Sequence, residues 1–298
     1  MIASEIAQRL GHAVRVGHDW RCHCPVHQGH SLTVANGRDG KLLVKCFGGC
    51  EWAEIFGELR SRGLIEGRRV DISPEREGEL RRRQDVAEKA EIERLRRRIK
   101  AARDIYRLGK PAADTAAETY LRRRNIDEAI PAVLRFLQHC PHRNGGYFAA
   151  MLAPIVNAAG EQVALHKTFL KADGSGKADL PKEEQRETIG PMKGGAVRLT
   201  QHHPDLELIV AEGLESAMSA TQLFGIPSWA AICANGIETL DLPDAVRRIV
   251  IAADHDANDV GLRAALCARE RWEAEGRSVR ILLPPNLGED FNDILLRD

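Results

Sequence analysis

Three aspartates follow a hydrophobic segment in the stretch IVIAADHDAND, residues 249–259. The apolar, β-branched run predicts a strand that is buried on both faces, as in a parallel sheet covered by helices. Its carboxyl end is then a sheet edge, where ligands bind in open α/β sheets. Because side chains alternate along a strand, Asp254 and Asp256 point the same way, and two ionised carboxylates so close repel each other. A divalent cation removes this conflict, and we therefore expect Asp254 and Asp256 to bind a metal.

A helix cap is the alternative role for these acids, because DHDANDVGLRAAL places Asp or Asn before a helical pattern. One acid is enough for a cap, and Asp259 is the one that fits the first helical turn. Acids also follow other predicted strands. Glu212 comes directly after LELIVA, with Gly213 easing the turn, and Asp290 and Asp293 follow the last strand. We therefore expect Glu212 to join the pair as a third carboxylate and Asp290 or Asp293 to supply a fourth.

A second group of candidate ligands lies near the N-terminus. Cys24 and His27 are three residues apart, Cys46 and Cys50 are four apart, and about twenty residues separate the two pairs. Four such ligands in two knuckles are what tetrahedral Zn²⁺ requires, and because all four positions come from protein the site is structural. Between the pairs, SLTVAN, a turn at GRDG and KLLVKC predict a β-hairpin. The spare candidates nearby are Cys22, His23 and His30.

Charge is distributed unevenly along the 298 residues, although 43 Lys and Arg balance 43 Asp and Glu. Residues 62–124 hold 19 basic against 12 acidic residues, whereas residues 205–298 hold 8 against 17. An acidic domain that handles nucleic acid needs metal ions and a basic neighbour. Seven cysteines, an odd number in tight clusters, suit metal binding in a reducing compartment. Neither a membrane span nor a secretory signal is visible, so we expect a cytoplasmic protein.

The middle of the chain is basic. Residues 74–108 predict one long charged helix, whose arginines are expected on a solvated face with ion pairs; contact with a nucleic-acid backbone is the alternative. A second helix at AAETYLRRRNI precedes short strands such as LAPIVNA and EQVALHKTFL. GSGKA, at residues 174–178, is not a phosphate-binding Walker A loop, because Ala178 stands where the metal-binding hydroxyl should be.

Strands and helices alternate from residue 205 onward. LELIVAEG, SWAAICANG, RRIVIAADHD and SVRILLP predict strands, and helices are predicted through ESAMSATQLFG and AALCARERWEAEG. This order implies a parallel sheet built from right-handed βαβ units. The fold class is therefore α/β, with an N-terminal zinc ribbon, a mixed α+β basic middle domain and a C-terminal parallel-sheet domain.

Three of these segments carry a resemblance to a known family. CPVH followed by CFGGC resembles the zinc ribbon of bacterial DnaG-type primases and the related primases of phages and plasmids, with one extra glycine in the second knuckle. A glutamate ending one strand and Asp-x-Asp ending another resemble the Toprim domain of primases, topoisomerases and some nucleases. YLRRRNI, PIVNAAGEQVALHKTFL and MKGGAVRL resemble the N-terminal half of the primase polymerase core. His255 and Ser216 depart from the usual pattern, where primases carry a glycine and an acid.

The resemblance implies a primase that makes short RNA primers on single-stranded DNA from ribonucleoside triphosphates. It implies catalysis by Glu212, Asp254 and Asp256, with magnesium or manganese held by these three and Asp290. Zinc would be structural, and a separate replicative helicase stays open as a partner. The residues expected to contact template or nucleotide are Lys167, Lys177, Lys193 and Arg198.

The expected domains are a zinc ribbon at 1–62, a charged helical linker at 63–124, the basic part of a polymerase core at 125–204 and a Toprim domain at 205–298. One rival function is a non-catalytic zinc-ribbon and Toprim module that binds DNA. The other is a Toprim nuclease. A topoisomerase is disfavoured because the chain has no room for a strand-gating domain around an attacking tyrosine.

Overall fold

The computed structural model describes residues 3–37, 41–65 and 74–297. Contacts divide the chain into two compact units, Met1–Gln84 and Asp85–Asp298. Within the described ranges, none of the helices has both the length and the apolar character needed to cross a membrane.

The N-terminal unit is built on a four-stranded antiparallel sheet in the order β1-β2-β3-β4. The predicted hairpin is confirmed as β3 and β4, which pair from Leu32 with Cys46 to Asn36 with Leu42. The predicted turn at GRDG falls largely on residues 38–40, outside the described residues. The elements are α1 Ala3–Leu10, β1 Val14–Val16, β2 Asp19–Cys22, β3 Leu32–Asn36, β4 Leu42–Cys46 and α2 Trp52–Ser61.

The predicted long helix is confirmed as α3, Pro74–Leu108. Its charged side chains form ion pairs one turn apart, such as Glu93 with Arg97 at 2.9 Å and Lys100 with Asp104 at 2.5 Å. These pairs are exposed and support the interpretation of a solvated face. Arg103 instead donates to the carbonyl of Gln162 at 2.9 Å, which ties the end of the helix to the following sheet.

The middle of the second unit is a five-stranded antiparallel sheet in the order β5-β6-β7-β8-β9. Strand β7 begins at Tyr147, five residues before the predicted segment LAPIVNA, and most of its residues are buried, whereas β8 matches the predicted segment EQVALHKTFL to within one residue. Helix α4 ends at Arg122, and Asn125 then turns the chain in the left-handed region at φ 56°. The elements are β5 Lys110–Pro111, α4 Ala116–Arg122, β6 Arg135–Pro141, β7 Tyr147–Val156, β8 Gln162–Leu170 and β9 Arg186–Ile189.

The C-terminal sheet has the order β10-β12-β11-β13-β14 and confirms the predicted parallel arrangement, except for the antiparallel edge strand β10. SWAAICANG is not a single strand. It ends at Ala230, and a helix begins at Ala234 after Ile232 turns the chain at φ 74°. The elements are β10 Val197–Arg198, β11 Leu208–Ala211, α5 Leu214–Phe224, β12 Ser228–Ala230, α6 Ala234–Thr239, β13 Arg248–Ala252, α7 Val260–Ala274, β14 Ser278–Leu282 and α8 Phe291–Leu295.

Strands β11 and β13 are buried on both faces, as the apolar runs predicted. Alternate residues enter different hydrophobic clusters. Ile209 and Val250 pack with residues of α4 and the middle sheet, whereas Val210 and Ile251 pack against α7. The first cluster is shared between the middle and C-terminal sheets. Because Ala211 pairs with Ala252, the residues that follow these two strands emerge at the same edge.

Candidate functional site

Four predicted carboxylates lie close enough to interact electrostatically at the carboxyl edge of the C-terminal sheet. Glu212 follows β11, Asp254 and Asp256 follow β13, and Asp290 precedes α8. Burial, and then the charges of Glu212, Asp290 and Asp256, raise the pKa of Asp254 to about 7. Burial and the charge of Asp256 also raise the pKa of Glu212. The acids are thus close enough to disfavour one another's ionisation, as the sequence predicted for neighbouring carboxylates.

The environment of Asp254 fits a cation better than a helix cap. Its Oδ1 atom is buried and has no hydrogen-bond partner in the described part of the chain. Asp256 differs, because its Oδ2 accepts a hydrogen bond of 3.3 Å from the amide of Gly261 in the first turn of α7. A Cβ at Gly261 would lie 2.8 Å from the carbonyl oxygen of Asp254, so only glycine lets this helix approach so closely. Asp256 therefore contributes to capping α7, whereas Asp254 Oδ1 does not.

Asp259 is exposed, and its backbone lies in the left-handed region at φ 54°. It occupies the N-cap position of α7 without a side-chain hydrogen bond to the helix. The structure therefore places Asp259 on the helix side of the turn.

The loop that carries Asp290 is fastened to the Asp254–Asp256 turn by His255. The His255 ring donates to the carbonyl of Pro284 at 2.9 Å, and its amide donates to the carbonyl of Glu289 at 3.0 Å. Asp290 in turn caps α8 through Oδ1, which accepts from the amide of Asp293 at 2.9 Å. His255 thus anchors the loop that carries Asp290 to this turn.

These oxygen ligands suit a hard divalent cation such as Mg²⁺, which keeps several waters and needs only one or two direct carboxylates. The acids are more widely spaced than the cysteine and histidine group of the N-terminal unit. The buried, unpartnered oxygen of Asp254 and the raised pKa values fit such an ion. Glu212, Asp254, Asp256 and Asp290 are the residues that would hold it.

The four predicted zinc ligands lie together in the N-terminal unit, with all ligand atoms within 4.8 Å of one another. Cys24 Sγ is 3.8 Å from Cys50 Sγ, close to the separation of two sulfurs that each lie about 2.3 Å from one tetrahedral Zn²⁺. Partial burial opposes ionisation of Cys46, but hydrogen bonds with Ser31 and His27 lower its pKa to about 6. The donor set therefore fits zinc.

One glycine of the second knuckle lies against a ligand of the first knuckle. A Cβ at Gly48 would overlap the imidazole of His27, so the two knuckles can close only with glycine there. Cys22 is buried in the core, and His23 and His30 pack against the ring of His12 instead of joining the four ligands.

One of the predicted nucleic-acid contacts does not agree with the structure. Lys167 is 1% exposed, pairs with Glu187 at 3.0 Å and donates to the carbonyl of Pro141 at 2.8 Å. A buried and paired ammonium has no surface to offer to a phosphate. Arg198 is half-buried. One of its nitrogens donates to the carbonyls of Asn157 and Ala158, and its guanidinium stacks on the indole of Trp229. Lys193, by contrast, is exposed.

Lys177 lines a basic pocket of about 280 Å³ between α4 and the loop that follows β8. We use the name basic pocket for this cavity. Its lining residues are Tyr120, Arg123, Arg124, Ser175, Gly176 and Lys177. Burial opposes the charge of Arg124, but Tyr120, Glu215 and, as the smallest contribution, Asp290 raise its pKa, so the field of the acidic edge reaches the pocket.

Comparison with protein families assigns the two halves of the second unit. Residues 207–298 match the Toprim domain family. This segment is a Toprim domain. Residues 96–199 match a domain of unknown function (DUF7146). A search of curated proteins finds no match for the chain.

Several primase structures are distantly similar. The DnaG primase catalytic domain bound to single-stranded DNA is 16% identical, with a TM-score of 0.44 over 68% of this chain and 77% of that one. The Aquifex aeolicus primase, with its zinc-binding and RNA polymerase domains, is 15% identical, with a TM-score of 0.45 over 100% of this chain and 80% of that one. The DnaG catalytic core is 18% identical, with a TM-score of 0.46 over 68% and 75%.

The sequence analysis missed one acid of the Toprim domain. Glu215 lies in the first turn of α5, three residues after Glu212, and is buried. The stretch VAEGLES contained it, but an acid at a helix start is ordinarily a solvated residue that complements the helix dipole. Only the tertiary structure shows that Tyr120, Lys177 and Arg186 surround it.

Proposed function

We propose that the chain is a DNA primase, which makes short RNA primers on single-stranded DNA by magnesium-dependent nucleotidyl transfer. The observation that carries the proposal is the buried Oδ1 of Asp254, unpartnered among the described residues and surrounded by Glu212, Asp256 and Asp290 at a Toprim edge. Four acids held against their mutual repulsion are what a phosphoryl-transfer site requires. The adjoining basic pocket supplies the charge that a nucleoside triphosphate needs.

A bound Mg²⁺ would neutralise phosphate oxygens and lower the pKa of the primer 3′-hydroxyl. Asp254, Asp256 and Asp290 would hold it at the sheet edge. Glu212 has a raised pKa and lies at the end of β11, so it can serve as a further ligand or accept the hydroxyl proton. The 3′-oxygen then forms a bond to the α-phosphorus, the bond from the α-phosphorus to the bridging oxygen breaks, and pyrophosphate leaves.

Cations would hold the leaving phosphates and the template. Lys177 faces the basic pocket, and Lys193 offers an exposed ammonium within the same unit. In the N-terminal unit, Phe47 is 61% exposed, and Arg21 and Lys45 lie within 5.5 Å of its ring centre. An exposed aromatic ring flanked by cations suits the stacking of single-stranded bases. We assign this ring to the template.

Primer synthesis tests the proposal directly. The chain would be incubated with single-stranded DNA, Mg²⁺ and labelled ribonucleotides, beside Asp254→Asn and the matched control Asp259→Asn. We expect short RNA products from wild type and the control and none from Asp254→Asn. Degraded DNA without RNA products would indicate the nuclease, and DNA binding without either reaction would indicate the non-catalytic module.

A further inference from the structure

Glu215 is the most deeply buried charged group near the metal-binding edge, at 4% exposure. Its Oε1 accepts a hydrogen bond of 2.6 Å from the hydroxyl of Tyr120. The same oxygen lies 3.6 Å from Lys177 Nζ and 3.9 Å from a terminal nitrogen of Arg186. A carboxylate of the Toprim domain is thus surrounded by groups that all precede this domain in the chain.

This carboxylate is charged at neutral pH in spite of its burial. Burial favours the neutral form, but Arg186, Lys177 and the Tyr120 hydroxyl together hold the pKa of Glu215 at about 2. A buried charge is costly unless it is paired, and removing one partner leaves the others uncompensated. Glu215 therefore fixes where Lys177 and Arg186 can lie.

The two cations keep free hydrogen-bonding capacity. Lys177 lies 3.6 Å from Glu215 and makes at most one long hydrogen bond to it, and Arg186 at 3.9 Å makes an ion pair without a direct hydrogen bond. Within the described ranges, neither cationic group donates a side-chain hydrogen bond at a shorter distance. The positive charge of Arg186 also reaches the acidic edge, because it offsets a small part of the rise that burial and the neighbouring carboxylates cause in the pKa of Glu212 and Asp254. Lys177 lines the basic pocket from the other side.

We propose that Glu215 is a positioning residue that holds Lys177 and Arg186 between the basic pocket and the metal-binding edge, where they receive the phosphates of the incoming nucleoside triphosphate. This inference rests on the proposed primase function and specifies how its nucleotide is bound. Glu215 touches neither nucleotide nor metal. Its charge orders two side chains that do.

The test variant is Glu215→Gln, which keeps the shape of the side chain and an acceptor for Tyr120 but removes the charge. Glu270→Gln, the same change at an exposed position of α7, is the matched control. The measurements are the Kd of a nonhydrolysable ATP analogue with Mg²⁺ by calorimetry, and the kcat and KM of primer synthesis. Thermal melting and the Kd for single-stranded DNA are measured in parallel.

We expect Glu215→Gln to raise the nucleotide Kd and KM by about tenfold while kcat changes by less than about threefold, because binding and not the chemical step is lost. The affinity for single-stranded DNA should stay as in wild type. The Mg²⁺ concentration that gives half-maximal primer synthesis should also be unchanged. A purely structural role predicts a lower melting temperature with unchanged KM. An unchanged or tighter nucleotide Kd would overturn the inference.

A double-mutant cycle with Lys177→Gln shows whether Glu215 acts through that lysine. We expect the double variant to bind nucleotide about as weakly as Lys177→Gln alone, and fully additive losses would contradict the positioning role. If Glu215→Gln does not fold, Glu215→Asp carries the test, because it keeps the charge but withdraws it from both cations. A wild-type KM in that variant would also refute the inference.

Failure of the proposed function gives a different result. If wild type neither binds the ATP analogue nor makes primers, the nucleotide function is wrong and the inference falls with it. If wild type does both and Glu215→Gln equals it, only the role of Glu215 is wrong.

Discussion

Replacement of Asp254 by Asn should stabilise the metal-free protein while abolishing nucleotide addition. The reason for the stabilisation is the pKa of Asp254, which rises from 3.8 to about 7 in the folded state. At about 1.36 kcal/mol for each pKa unit, this difference corresponds to at most about 4 kcal/mol of folding free energy. Asn removes the charge, but its buried amide also lacks a partner and costs about 1–3 kcal/mol. The net gain is then about 2 kcal/mol.

The direction of the pKa shift of Asp254 determines the pH range over which the stability of wild type changes. A raised folded-state pKa gives a contribution to stability that is complete below pH 3.8 and lost as the pH rises through about 7. Wild type therefore loses stability over this range, whereas Asp254→Asn does not. The advantage of the variant should be small at pH 5 and largest at pH 8.

Thermal melting in Mg²⁺-free buffer measures the difference. At pH 8 we expect the Tm of Asp254→Asn to exceed that of wild type by about 4–8 °C, given about 2–4 °C for each kcal/mol in a domain of this size. Added Mg²⁺ should raise the Tm of wild type more than that of the variant. A variant that is less stable at pH 8, or one that still makes primers, would refute the metal-site reasoning.

Four further variants, in other parts of the chain, have expected outcomes. Elemental analysis should find one zinc ion per chain in wild type and none in Cys46→Ser, and full occupancy in the variant would contradict the assignment. Lys193→Glu should weaken single-stranded DNA binding and reduce its salt slope by about 0.7, whereas Lys167→Met should lower stability by about 3–5 kcal/mol without changing that slope. His255→Ala should raise the Mg²⁺ concentration that gives half-maximal primer synthesis, because the loop carrying Asp290 loses its hydrogen bond from the His255 ring. The zinc content should be unchanged.

The fold was predictable where a local pattern coincided with the final environment. The apolar run before Asp254 predicted a doubly buried strand, and β13 has that burial because both of its faces pack against hydrophobic clusters. The strand boundary in SWAAICANG was not predictable. Ile232 adopts a left-handed backbone conformation that β-branched residues disfavour, so only the tertiary context forces the turn there.

The site divides in the same way. Glu212 and Asp254 could be predicted to share an edge, because the ends of adjacent parallel strands must lie together. Lys167 could not be recognised as buried, since a lysine in an apolar strand gives no sign of its partner, and Glu187 is twenty residues away. The burial of Glu215 could not be predicted for a related reason. Its cationic partners, Lys177 and Arg186, lie far from it in the sequence.

The balance of charge within the second unit follows from these pairings. The Toprim domain is strongly acidic, so its metal-binding edge would repel a triphosphate unless cations stand beside it. Those cations belong to the middle domain and would also be driven apart by their own repulsion. In the proposed arrangement Glu215 resolves both problems, because its buried negative charge lies within 4 Å of both Lys177 and Arg186. An acidic residue, Glu215, would therefore allow the acidic Toprim domain to bind a nucleoside triphosphate, because it positions the two cations.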